Sequence, residues 1–147
     1  MDESKVISFV KHLSNDTANN KITWQRLNSY QSRVIDNQNV LETILSECEY
    51  RHIDYHNSYV TVPNAVPGEI FLIYEDNSPG YENLPRTVGY KIYLHNESNG
   101  KISELLCPAS ALYQLLNAIH SCINNSESDA EDFINAYFSQ KQTDSHQ

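Results

Sequence analysis

The chain has 147 residues, 39% of them hydrophobic, and a formal net charge of −9; this is enough for one domain with its own core, needing neither disulfide nor metal to fold. Its 10 lysines and arginines are scattered without a run of three, which argues against direct nucleic-acid binding through clustered cations. No apolar run reaches the length of a membrane span.

In chain order, Val6, Ile7, Phe9, Val10 and Leu13 are spaced for an amphipathic helix over Ser4 to Leu13, with Asp2 and Glu3 at its positive end. The polar residues from Asn15 to Asn20 predict a turn. Lys21 to Leu27 reads as a short strand, with the only tryptophan, Trp24, plugging one edge of the core. Gln31 to Asn39 is mostly polar and reads as a loop, and the apolar spacing from Val40 to Cys48 predicts a second helix. From Glu49 to Val62 the pattern alternates, with Ile53, Tyr55 and Tyr59 on one side and His52, Asp54, His56 and Ser58 on the other, as in a strand with one packed and one polar face.

The stretch from Gly68 to Glu75 is the only run apolar on both faces, and it is bounded by Pro67-Gly68 and by Asn77-Ser78-Pro79-Gly80. It is the expected central strand. A long loop from Asp76 to Thr87 leads to a strand over Val88 to His95, then to a turn with the hairpin signal Asn99-Gly100, then to a strand over Lys101 to Cys107. Pro108 opens a helix whose stripe runs from Leu112 through Leu115, Leu116 and Ile119 to Ile123 and ends at Asn124-Asn125. Ser128 with Glu131 fits a capping box for a further short helix bearing Phe133, Ile134, Tyr137 and Phe138. Lys141 to Gln147 has no apolar side chain and reads as a disordered tail. Segregated strands and helices predict a single α+β domain over residues 1–147, in which an antiparallel sheet of about four to five strands packs against N-terminal and C-terminal helices.

Catalytic signatures are scarce. There is no Gly-x-Ser-x-Gly elbow, no Walker motif and no Gly-x-Gly-x-x-Gly, and no cofactor is expected. The three cysteines, Cys48, Cys107 and Cys122, form no Cys-x-x-Cys pair and read as reduced, packed thiols of a cytoplasmic protein; no signal peptide is visible. Cys107 stands at a helix entry, where the helix dipole would lower its pKa. His52, Asp54 and His56, two apart on one strand face, supply two imidazoles and a carboxylate, the ligand set of a metal-dependent enzyme. The better candidate is the Asp76–Thr87 loop. Tyr81, Glu82, Leu84 and Arg86, with Glu75 and Asp76 at its entry, combine residue types enriched at interface hot spots with charge.

The opening helix, the Asn-rich turn and Ile22-Thr23-Trp24, together with the closing Asp132-Phe133-Ile134-Asn135-Ala136-Tyr137, resemble the layout of small uncharacterised bacterial and phage α+β proteins. The resemblance covers the layout of most of the chain and implies no activity. Size, acidity and the ten tyrosines lead to the expectation of a non-enzymatic, acidic, cytoplasmic protein that binds another macromolecule. Its concrete form is an immunity-type or inhibitor protein of bacterial or phage origin whose protein partner is basic, contacting neither nucleic acid nor membrane. The metal-dependent enzyme is the alternative, and a homodimer is a further option.

Overall fold

The computed structural model describes residues 2–29, 34–35, 38–39, 52–77 and 87–144. Helix α1 (Glu3–Ala18) is followed by strand β1 (Gln25–Arg26) and a single 3-10 turn at Leu27–Ser29. Strands β2 (Val34–Ile35) and β3 (Gln38–Asn39) pair with each other as a small hairpin, where a loop was expected. Strands β4 (His52–Ile53), β5 (Tyr59–Thr61), β6 (Gly68–Asn77), β7 (Thr87–Asn96) and β8 (Lys101–Leu105) come next, and helix α2 (Ala109–Asp144) closes the described chain. The expected helix over Val40 to Cys48 lies outside the described residues.

One antiparallel sheet in the order β1-β5-β6-β7-β8 organises the molecule, and β4 pairs with the same edge of β6 as β5 does. The α+β expectation therefore holds, with β6 in the middle. Strands β6 and β7 pair along their full lengths, from Gly68 opposite Asn96 to Asn77 opposite Thr87. Alternation sends Ile70 and Leu72 of β6, with Ile92 of β7, to the face covered by the helices, where they join Val6, Val10 and Leu13 of α1 and Leu112, Leu115, Leu116 and Ile119 of α2. Phe71 and Ile73 go to the other face, into a second cluster with Leu27, Val60 and Tyr93. The run that is apolar on both faces is thus buried on both, and Phe71, Leu72 and Ile73 are fully excluded from solvent.

The strand expected over Glu49 to Val62 is interrupted. At Asp54 the chain leaves β4, and a turn carries it to β5. The Asp54 carboxylate accepts the backbone amides of His56 and Asn57 and the side-chain amide of Asn57 at 2.7 Å. Ser58, fully buried, donates its hydroxyl to the Asp54 carbonyl at 2.6 Å and accepts the Tyr74 amide at 2.9 Å. A hydroxyl thus satisfies a β6 amide that lies between the parts of the edge paired by β4 and β5.

Both helices outrun their predicted ends. α1 begins at its cap Asp2, which accepts the Ser4 amide, and continues through the expected turn to Ala18. Thr17 is fully buried there; its hydroxyl donates to the Leu13 carbonyl at 2.6 Å and accepts the Trp24 indole N–H at 2.9 Å. Packing against α2 and a satisfied hydroxyl override the turn preference of the polar run. The helix ends at Ala18, and Asn20, two residues beyond, adopts a left-handed φ of 59°. α2 passes through Asn124-Asn125 without a break and reaches Asp144, inside the stretch expected to be a disordered tail. Asparagine costs a helix less than about 1 kcal/mol against alanine, and neither glycine nor proline, the strong breakers, stands in this stretch.

Gly68 is where β6 meets the end of β7. Its φ is +155°, and a Cβ there would overlap the His95 carbonyl oxygen. Gly68→Ala is expected to lower stability by about 2 kcal/mol or more, read as a fall in the urea midpoint with an unchanged slope. A midpoint equal to the parent's would show that the two strands do not approach as described.

Candidate functional site

The expected contact residues divide sharply. Tyr81, Glu82, Leu84 and Arg86 lie outside the described residues. Asp76 pairs with His52 through β6 and β4. Glu75 is not a surface contact: it is 2% exposed, its Oε1 accepts the Tyr93 hydroxyl at 2.7 Å, and its Oε2 lies 3.5 Å from the Lys91 ammonium. Lys91 also meets Glu104 at 3.6 Å. A carboxylate so enclosed serves the sheet, because removing it from its partners costs more than a rim contact returns.

The metal reading loses its geometric basis. It required one continuous strand to aim His52, Asp54 and His56 in one direction, and the strand ends at Ile53. Asp54 instead holds the turn. The hydrogen bond from the Asn57 side chain, supported by the Asn57 and His56 amides, keeps its carboxyl below the ordinary value of 3.8. Among the described residues, no three His, Cys, Asp or Glu side chains gather in a way that would hold a metal ion. Cys107 is likewise not activated, since burial, and then the nearby Glu3 charge, push its thiol up rather than down.

One polar cluster escapes sequence reading, because its members come from three distant segments. Tyr59 of β5 is fully buried. Its hydroxyl accepts from Arg26 Nη1 at 3.2 Å and lies 2.9 Å from His120 Nε2 of α2. The Arg26 guanidinium also sits 5.6 Å from the Tyr59 ring centroid, donates to the His56 carbonyl at 2.9 Å and reaches Glu127 at 3.7 Å. Which of the two donates follows the imidazole tautomer: with Nδ1 protonated, His120 Nε2 accepts the phenol's proton, and with Nε2 protonated it donates to the phenol oxygen. Desolvation, then the Arg26 charge, hold His120 below its ordinary 6.5. The cluster fastens α2 to the sheet edge at the point where the helix leaves the body.

Beyond that point α2 changes character. Its buried residues, Ala111, Leu112, Leu115, Leu116 and Ile119, belong to the N-terminal third, and every residue from 127 to 140 is exposed. Phe133 is 75% exposed, Ile134 51%, Tyr137 53% and Phe138 57%. Spacings of one, three and four put these four on one helix face, and the Tyr137 and Phe138 rings meet edge to face at 5.9 Å. By the same period, Asp129 and Asp132 edge one side of the stripe and Glu131 the other. The sequence marks the stripe but expects it to cover the sheet; the uninterrupted helix carries it past the sheet instead. No family model, no curated protein and no solved structure matches this chain.

Protonating His120 would place a charge in a desolvated site and set a second cation beside Arg26. Because folding lowers this pKa, the unfolded chain binds more protons in the window just below pH 6.5, so stability there falls as pH falls. The melting temperature is expected to drop between about pH 7.5 and about pH 5.5, and the drop should shrink in His120→Gln. An equal drop in both proteins would remove His120 as its source.

Proposed function

We propose that the protein works by binding a protein partner that carries an apolar groove edged with lysine or arginine, and that the distal half of α2 is the part that enters it. The exposed Phe133–Phe138 stripe carries this reading. Four large apolar side chains on one helix face, each more than half exposed, form the kind of patch that marks an interaction surface on a soluble domain. Aromatic side chains at such spacing are the anchors of helix-in-groove recognition. Glu127, Asp129, Glu131 and Asp132 supply four carboxylates, and residues 127–140 contain no lysine or arginine. A basic rim on the partner complements this charge, whereas a second copy of the same helix would bring like charges together.

An acidic protein that covers a basic enzyme, in the manner of an immunity-type or inhibitor protein of bacterial or phage origin, is the concrete form of this activity. The half-buried Cys107 and Cys122 are free thiols, which suits a reducing cytoplasm. Among the described residues no helix is long and apolar enough to cross a membrane.

The test uses Phe133→Gln/Phe138→Gln. Both positions are exposed and glutamine favours helix, so the melting temperature should stay within the small range of surface changes. A partner captured by the parent protein, identified and purified, should be basic and should bind the variant at least about tenfold more weakly, the scale of losing hot-spot anchors. Its affinity for the parent should also fall as salt rises from about 0.1 M to about 1 M, where screening shortens to about 3 Å. Equal affinity of parent and variant would sink the proposal. So would an acidic partner, or a parent dimer that the substitutions convert to monomer.

A further inference from the structure

A cavity of about 490 Å³ lies at the end of the sheet, between α1 and the segment 62–67 that connects β5 to β6. Its size is within the range of about 300–1,000 Å³ typical of small-ligand sites. Phe9 and Leu13 of α1, Ile22, Ile70, Val66 and Leu94 are the large apolar side chains of its wall. Several of these belong at the margin of the main core yet stay wet: Phe9, Ile22 and Leu94 are only half-buried, and Val66 is 58% exposed. The wall is tied in place. Pro67 accepts the Glu97 amide at 3.2 Å, and the Asp16 carbonyl accepts the Lys21 amide at 2.8 Å, so the helix exit and the connecting segment are both held by backbone bonds. Gly68, whose missing Cβ makes room for the His95 carbonyl oxygen, also borders the cavity.

We infer that this cavity is a binding site for a small, neutral, largely apolar molecule bearing one or two hydrogen-bonding groups. The charges around it decide against an ion. Asp16 and Lys21 contribute one charge of each sign, which leaves no net attraction for an anion or a cation. Glu69 and His95 also border the cavity, but their side chains pair with each other at 3.2 Å. Strand alternation turns that pair to the face opposite Ile70 and Leu94, so what they offer the cavity is backbone. The amide side chains of Asn64 and Asn96, both in the lining, add neutral hydrogen-bonding groups; Asn96 Oδ1 already accepts the Ser98 amide at 3.0 Å. A ligand that covers Phe9, Ile22, Val66 and Leu94 gains by removing their apolar surface from water. The site is separate from the distal half of α2, so a ligand here and a protein there can be bound independently.

Dansyl amide, which is neutral and fluoresces more strongly on entering an apolar site, tests this against its anionic counterpart, dansyl sulfonate. The amide should bind saturably at one site per chain, and the sulfonate at least about tenfold more weakly. Ala65→Trp fills the cavity from an exposed position, and Val66→Asp places a charge on its wall. Each should weaken amide binding by at least about tenfold while leaving the circular dichroism spectrum and melting temperature near the parent's. Phe133→Gln/Phe138→Gln should leave amide binding unchanged, which separates this cavity from the exposed helix stripe. The inference is overturned by absence of saturable amide binding, by equal affinity for the sulfonate, by amide binding that survives both cavity substitutions, or by binding lost only in the helix variant.

Discussion

The pairing of β6 with β7 is the constraint from which the rest of the architecture follows. Ten residues of one strand face ten of the other without an interruption, and β6 must be covered on both sides because both of its faces are apolar. One face receives the helices. On the other, Phe71 and Ile73 cluster with Leu27, Val60 and Tyr93. At each end of this second face a carboxylate is enclosed, Glu69 with His95 and Glu75 with Tyr93 and Lys91. Each partner lies on β7, so the ladder that buries these charges also supplies what compensates them. The sheet is therefore specified by complementary apolar and polar pairs in one register, and a slip by one residue would misplace both kinds.

Much of this was legible because it is local. The double-sided apolar run identifies β6, alternation identifies β7, and Asn99-Gly100 marks the hairpin to β8, where Gly100 takes a φ of +70° and its amide reaches the Asn96 carbonyl at 2.8 Å. The misreadings share a different origin. Asn15 to Ala18 looked like a turn because nothing in the sequence shows that Thr17 is enclosed between Leu13 and Trp24. His52 to Ser58 looked like one strand because alternation is blind to a side chain that accepts its neighbours' amides, as Asp54 does. Asn124-Asn125 looked like a stop because propensity was weighed without the residues that continue the helix on either side.

The candidate site was half legible for a related reason. Periodicity tells which side chains share a helix face. It does not tell whether anything covers that face. Phe133, Ile134, Tyr137 and Phe138 form a stripe in either reading, but whether it is core or contact surface depends on where the helix goes, and that is set by Arg26, Tyr59 and His120. Those three are separated by 33 and 61 residues, and no local pattern joins them. The tyrosines show the same ambiguity. Tyr59, Tyr90 and Tyr93 all commit their hydroxyls to internal partners, and the Tyr90 ring meets those of Tyr74 and Tyr113 edge to face. These three tyrosines are scaffold rather than binding surface.

The packing of α1 against α2 bears on how the chain acquires its structure. Thr17 near the start meets Cys122 near the end, where the thiol lies 3.1 Å from the Thr17 carbonyl across a separation of 105 residues. The β6–β7–β8 meander joins strands that follow one another in sequence, so it can form early. The helical layer cannot be completed until almost the whole chain is present, because each helix provides the other's apolar cover. During synthesis α1 therefore leaves the ribosome long before its partner exists, with Val6, Val10 and Leu13 unprotected in the interval.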